Sequence, residues 1–267
     1  MNIIDGKKIA DGILEELKEE IEEKELKPCL GIILVGNNPA SQLYVQKKEQ
    51  ATQKVGIEIK KKVLTQNTSE EEILKIINQF NQDNQVNGIL VQMPLPEGIN
   101  SDKIIKAINL EKDVDGFLSE SKFDSPFILA IEQALKSIEE DLDDKKTIAL
   151  VNSEVFGERL EHKLRLCVKS IRAIVWPNVF GHLMAEYDII ITALGKPHII
   201  KGDMVKSGVI LIDGGISKKD GKIVGDVDRE SVQEKASWLS PVPGGLGPLT
   251  VAFLLRNVIG TVIKVGP

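Results

Sequence analysis

The sequence predicts two α/β domains with a cleft between them, and three observations carry that prediction. Apolar runs of strand length, Leu30 to Val35 first among them, alternate with amphipathic helical segments. The alternation breaks at a polar stretch, Phe117 to Phe127, and then resumes. A Gly/Pro loop, Pro241-Val242-Pro243-Gly244-Gly245-Leu246-Gly247-Pro248, precedes a last apolar helix. Continuous apolar runs suit parallel strands covered on both faces, and their alternation with helices is the pattern of a parallel sheet.

The elements follow in order. Ile9, Ile13, Leu14, Leu17 and Ile21 recur at helical spacing among Glu and Lys, an amphipathic helix. Leu30 to Val35 is a buried strand that ends at Gly36. Asn37-Asn38-Pro39 starts a helix running to about Lys54, with Asn38 as N-cap and Pro39 at the first helical position. Ile57 to Leu64 reads as a strand, Ser69 to Asp83 as a helix and Gly88 to Gln92 as a strand. Beyond the polar break a helix covers Ile128 to Glu140, and the acidic turn Glu139 to Asp144 opens a second series. Its strands are Thr147 to Val151, Ala173 to Trp176, Asp188 to Ala193 and Val209 to Asp213, and the final helix spans Pro248 to Ile259. The domains predicted are residues 1–120, completed by the segment 243–267, and residues 121–242.

Bulk properties narrow the function. At 267 residues, 42% hydrophobic and 28% charged, the chain has the composition of a globular protein with real cores. A net charge of -6 argues against a general nucleic-acid binder, which needs clustered Lys and Arg. Lys47, Lys48, Lys54 and the run Lys60-Lys61-Lys62 leave room for a local basic pocket, though the run reads first as a solvated strand edge. Cys29 and Cys167 lack disulfide or metal spacing and read as buried thiols in strand-like contexts of a reducing compartment. No signal peptide or membrane-length apolar run is visible, which makes the expected location cytoplasmic. His162, His182 and His198 are scattered without ligand partners, so no metal site is expected, and neither a nucleophile elbow nor a phosphate loop appears.

The residues from Pro39 to Lys48 are the most suggestive. Tyr44 and Lys48 stand four apart in a predicted helix and share a face, so a planar substrate stacked on the ring would have an amine near its reacting atom. Gln92 at a strand end and Asp115 before Gly116 would bring an amide and a carboxylate to the same cleft. Taken singly, each fits a turn or a half-buried surface equally well. Six ordered blocks decide otherwise: Val35 to Lys48; Gly88 to Pro96; Lys112-Asp113-Val114-Asp115-Gly116-Phe117; Ala193-Leu194-Gly195-Lys196-Pro197; Gly225-Asp226-Val227-Asp228; and Pro241 to Thr250. With them the chain resembles the bifunctional methylenetetrahydrofolate dehydrogenase/methenyltetrahydrofolate cyclohydrolase family.

That resemblance implies a folate-binding first domain, a Rossmann-like second domain for a dinucleotide, tetrahydrofolate derivatives as substrates and a homodimer. It implies that Tyr44 stacks on the folate, Lys48 is the central catalytic residue, Gln92 orients Lys48, and Asp115 holds the amino-pyrimidine edge of the pterin. A carboxylate is suited to that edge because it accepts two parallel hydrogen bonds. Pro243, Gly244 and Gly245 would border the folate. Ser153, Gly157, Gly195, Lys196, Gly215 and Thr250 would line the cofactor, NADP in the family's usual form. The stretch Val151-Asn152-Ser153-Glu154-Val155-Phe156-Gly157-Glu158-Arg159 departs from the family's Gly-Arg-Ser turn. Asn152 brings no charge to a 2'-phosphate, and Glu154 and Glu158 place negative charge where a phosphate would sit. Trp176-Pro177-Asn178 carries neither a cation nor an acid for the adenosine end. NADP, NAD or no cofactor therefore remain open, as do a cyclohydrolase alone and a non-catalytic folate-binding protein.

Overall fold

The computed structural model of the protein describes residues 1–177 and 181–263, with residues 181–183 described by their backbone alone. Asn178, the His182 side chain and the end of the segment 243–267 from residue 264 onward lie outside the described residues. In chain order the regular elements are β1 (Asn2–Ile3), α1 (Gly6–Glu23), β2 (Cys29–Val35), α2 (Pro39–Val55), β3 (Glu58–Leu64), α3 (Glu70–Gln82), β4 (Gly88–Val91), α4 (Ser101–Lys106) and α5 (Pro126–Lys136). They continue with β5 (Lys146–Val151), α6 (Glu154–Leu164), β6 (Ser170–Val175), β7 (Ile189–Ala193), β8 (Val209–Asp213), β9 (Ser217–Lys219), β10 (Lys222–Val224), α7 (Arg229–Val232), β11 (Ala236–Ser240) and α8 (Leu246–Val262). The chain forms two compact units, Ala10–Pro126 with Val251–Pro267, and Met1–Ile9 with Phe127–Thr250.

The first unit holds a three-stranded parallel sheet in the order β3-β2-β4. Every residue of β2 is buried, as its unbroken apolar run requires of a central strand. Ile33, Ile73, Ile77, Ile89 and Ile104 are fully buried in one cluster, each contributing about 1.5–3 kcal/mol through removal from water. The lysine run lies on β3, whose outer side is an open edge, with Lys61 and Lys62 exposed. Charge there blunts an otherwise sticky strand. Helix α2 begins as its sequence dictates: the Asn38 side chain accepts from the Ala40 and Ser41 amides, and Pro39 occupies the first turn. Asn38→Ala is expected to lower stability by about 1 kcal/mol, measured as the midpoint shift in urea unfolding.

The second unit is a six-stranded parallel sheet in the order β1-β11-β8-β7-β5-β6. From β5 onward this is the doubly wound order 2-1-3-4-5, in which the strand order reverses between β5 and β7. Its core clusters Ile148, Leu150, Ile190, Leu211 and Val232, all fully buried. The antiparallel pair β9-β10 stands as a separate hairpin.

Several expectations are corrected. Cys29 is buried on β2, but Cys167 is partly exposed in the turn after α6 rather than in a strand. Helix α5 ends at Lys136, short of Glu140, where the Ser137 hydroxyl donates to the Ala134 carbonyl and competes with helix continuation. Strand β6 starts at Ser170, ahead of Ala173; as an edge strand it tolerates the polar Ser170 and Arg172 that masked it. Helix α8 begins at Leu246 and takes in Gly247 and Pro248, because a first-turn residue has no intrahelical use for its amide hydrogen. No helix among the described residues is long and apolar enough to cross a membrane.

Candidate functional site

In the first unit, α2 presents Tyr44 and Lys48 a turn apart, both partly buried. Gln92 follows β4 directly, and its amide N–H donates to the Ile33 carbonyl at 2.9 Å, so the sheet itself fixes its backbone. The Gln92 side-chain Nε2 donates to the Met93 carbonyl at 2.7 Å. That bond turns Oε1 toward Lys48, whose Nζ donates to it at 3.0 Å. Burial lowers the Lys48 pKa, and the negative charge of Asp115 opposes the shift. Burial pushes the Asp115 carboxyl up to about 6; Lys48 pulls it down and Asp113 adds to the rise. Burial also raises the Tyr44 phenol. Lys47 sits 6.0 Å from the Tyr44 ring centroid, on the ring rather than beside Lys48.

The loop that carries Asp115 is clamped by two residues that sequence reasoning missed. Asp113 is fully buried, and its carboxylate accepts the amides of Phe117 at 3.3 Å and Leu118 at 2.9 Å. Asn257 on α8, 5% exposed, donates its amide to the Val114 carbonyl at 2.8 Å and the Asp124 carbonyl at 3.1 Å. Gly116 turns the loop with φ +63, a region that disfavours side chains, and a Cβ there would meet the Phe123 carbonyl oxygen at 2.5 Å. Asn257→Leu keeps the branched shape but strands two carbonyls. It is expected to cost about 2–3 kcal/mol in chemical denaturation and to raise the folate KM.

The remaining predicted residues belong to the second unit. Ser153 caps α6, accepting the Phe156 amide at 3.4 Å. Gly157 allows α6 to lie against β6, since a Cβ there would come 2.8 Å from that of Ala173. The Asn152 amide donates to the carbonyls of Ala193 at 3.3 Å and Leu194 at 2.8 Å, bridging the ends of β5 and β7 where the strand order reverses. Gly195 and Lys196 are exposed just beyond β7, and Gly215 is buried just beyond β8. The Thr250 hydroxyl donates to the Leu246 carbonyl within α8. Pro243, Gly244 and Gly245 form the turn between β11 and α8, closed by the Gly245 amide on the Pro241 carbonyl at 2.7 Å. His162 is exposed on α6, while His198 lines a cavity of about 350 Å³ with Asp213, Gly225, Asp228, Arg229 and Val242.

Two buried carboxylates in this unit were also missed. Asp213 ends β8 at 3% exposure, and Asp226 is fully buried. Each stands beside glycine in the sequence, Asp213-Gly214-Gly215 and Gly225-Asp226, which was the signal available.

A parallel sheet with a lysine held beside an amide, and a doubly wound sheet whose strand order reverses between β5 and β7, define a two-unit α/β enzyme. Residues 4–115 match the tetrahydrofolate dehydrogenase/cyclohydrolase catalytic domain, and residues 128–265 match the NAD(P)-binding domain of the same family. The chain belongs to the tetrahydrofolate dehydrogenase/cyclohydrolase family. It is 42% identical to the bifunctional protein FolD of Aquifex aeolicus, over 96% of this chain and 94% of that one. The crystal structure of the FolD methylenetetrahydrofolate dehydrogenase/cyclohydrolase of Campylobacter jejuni has a TM-score of 0.91 and 39% identity, covering 98% of each chain. That of the Trypanosoma brucei enzyme, complexed with NADP cofactor and an inhibitor, has a TM-score of 0.91 at 26% identity, covering 97% of this chain and 96% of that one.

Proposed function

We propose that the protein performs two consecutive steps on a one-carbon unit carried by tetrahydrofolate. The first is oxidation of 5,10-methylene-tetrahydrofolate with NADP; the second is hydrolysis of the 5,10-methenyl product to 10-formyl-tetrahydrofolate. The observation that carries this reading is the Lys48 Nζ to Gln92 Oε1 hydrogen bond at 3.0 Å, with Asp115 close enough to act on the Lys48 charge. The division of labour follows the two units: folate chemistry on Tyr44, Lys48, Gln92 and Asp115 in the first, and dinucleotide binding on the doubly wound sheet of the second. Family resemblance supports a cytoplasmic homodimer.

Tyr44 offers a partly buried ring for the pterin to stack on, and the Asp115 carboxylate accepts hydrogen bonds from its amino-pyrimidine edge. Lys48, with its pKa lowered by burial, has a neutral fraction able to take a proton from the water attacking the methenyl carbon. The resulting ammonium returns a proton to N5 as the bond from that carbon to N5 breaks, and the hydroxyl proton leaves as the formyl C=O forms. The net products are 10-formyl-tetrahydrofolate and one proton. Gln92 keeps the amine aimed by accepting one of its hydrogens and so limits its rotation.

The dinucleotide supplies the acceptor for the hydride that leaves the methylene carbon. This chain's residues fit such a group through close backbone approach. Gly195, exposed at φ +65 with nothing nearer than 3.8 Å to where a Cβ would stand, leaves open backbone after β7, and the turns after β5 and β7 flank the switch point where ligands of this sheet order bind. Ser153, Gly195, Lys196 and Gly215 would hold it. One observation favours a second reading, hydrolysis alone: the Asn152 amide is spent on two carbonyls, leaving no cation at that turn.

The deciding experiment mixes the protein with 5,10-methylene-tetrahydrofolate and either NADP or NAD and follows reduced-cofactor absorbance. Growth with NADP supports the two-step reading, and growth with NAD alone reassigns the cofactor. No growth, with methenyl hydrolysis intact, favours the second reading.

A further inference from the structure

The buried carboxylates Asp213 and Asp226 interlock through the glycines that face them. A Cβ on Gly225 would fall 1.9 Å from Asp213 Oδ2, and one on Gly215 would fall 2.1 Å from Asp226 Oδ1. Each carboxylate thus fills the space a side chain would need on the other's loop. Asp226 Oδ2 accepts the Leu194 amide at 2.8 Å and Oδ1 the Lys196 amide at 2.6 Å. Asp213 Oδ1 accepts the amides of Gly215 and Asp226, both at 2.9 Å, and its Oδ2 accepts that of Val227 at 3.0 Å. In both, donors arrive on two different oxygens, a demand that a carboxylate meets and an amide side chain, with one acceptor oxygen, does not.

We infer that Asp226 and Asp213 are positioning residues for the dinucleotide, holding the loops after β7 and β8 in the shape that presents Gly195, Lys196 and Gly215. Burial raises the pKa of both, and the backbone amides that converge on them oppose the rise. What the arrangement supplies is one fixed geometry for three segments, 194–196, 213–215 and 225–227. This inference rests on the dinucleotide reading above.

The test is calorimetric titration of the protein with NADP and, separately, with NAD, alongside the KM for 5,10-methylene-tetrahydrofolate. D226N is expected to raise the Kd of the dinucleotide that the wild-type protein binds by about tenfold or more, while the folate KM moves less than about threefold. Gly215→Ala breaks the same lock from the other side and is expected to act alike. Because both break one contact, the G215A/D226N double variant is expected within about twofold of the worse single variant, whereas independent structural damage would add. Should D226N fail to fold, Thr192→Val carries the test. It removes the hydroxyl that donates to Asp213 Oδ1 at 3.4 Å and also bonds Asp226, and is expected to raise Kd by about two- to fourfold. Unchanged Kd in D226N, or in T192V if D226N does not fold, overturns the inference alone, as does additivity in the double variant. A wild-type protein that binds neither dinucleotide overturns the dinucleotide reading, and the inference with it.

Discussion

Lys48→Ala is expected to abolish both reactions, with hydrolysis of 5,10-methenyl-tetrahydrofolate slowed by about 10²–10⁴-fold in kcat. Lys48 is the amine the structure holds in place: Gln92 Oε1 accepts from it at 3.0 Å, and the Met93 carbonyl fixes that amide's orientation. Alanine removes the proposed proton acceptor and leaves Gln92 Oε1 without its Lys48 partner. The measurement is the fall of methenyl absorbance in the absence of any dinucleotide, so a failing cofactor site does not enter. Hydrolysis surviving within tenfold of wild type would show that another base does the work. Lys48→Arg is expected to rescue little, because a guanidinium stays protonated at working pH and takes no proton from water.

Asp115→Asn is expected to raise the folate KM by about tenfold or more, since an amide replaces one of two acceptor oxygens with a donor. The wild-type protein should show the same loss as a function of pH. Its Asp115 carboxyl, pushed up to about 6, is ionised at pH 7 and takes up a proton as pH falls through that value. Folate affinity therefore weakens below about pH 6, and in Asp115→Asn that acid limb disappears. An acid limb that persists unchanged in the variant would assign it to another group. Folding stability runs the other way. Between the ordinary carboxylate value and about 6 the native state holds a proton that the unfolded chain has released, so the contribution of Asp115 to stability falls as pH rises through that window.

Much of the fold was legible because particular residues leave no choice. The seven residues of β2 are apolar throughout, and Asn38-Pro39 carries both signals of a helix start. Elements whose stability is tertiary escaped notice. Strand β1 is two residues long and exists by pairing with β11, and β11 itself, Ala-Ser-Trp-Leu-Ser, has too little apolar pattern to declare itself. The contact of Lys48 with Gln92 links residues far apart in sequence, and family resemblance, not periodicity, pointed to it. Asp113, Asp213 and Asp226 stayed hidden for a related reason. An aspartate near glycine reads as a turn, and only the fold reveals that its carboxylate is buried under converging amides.

The Asn257 clamp has a consequence for the order in which the molecule is made. A chain emerging from the ribosome presents Asp115 early, but the amide that ties down its loop is synthesised roughly 140 residues later. At roughly 5–20 residues per second, that interval is on the order of ten seconds. During it the loop that carries Asp115 lacks its fastener. A product terminated before Asn257 would therefore keep Asp115 on a loop without the amide that bridges the Val114 and Asp124 carbonyls.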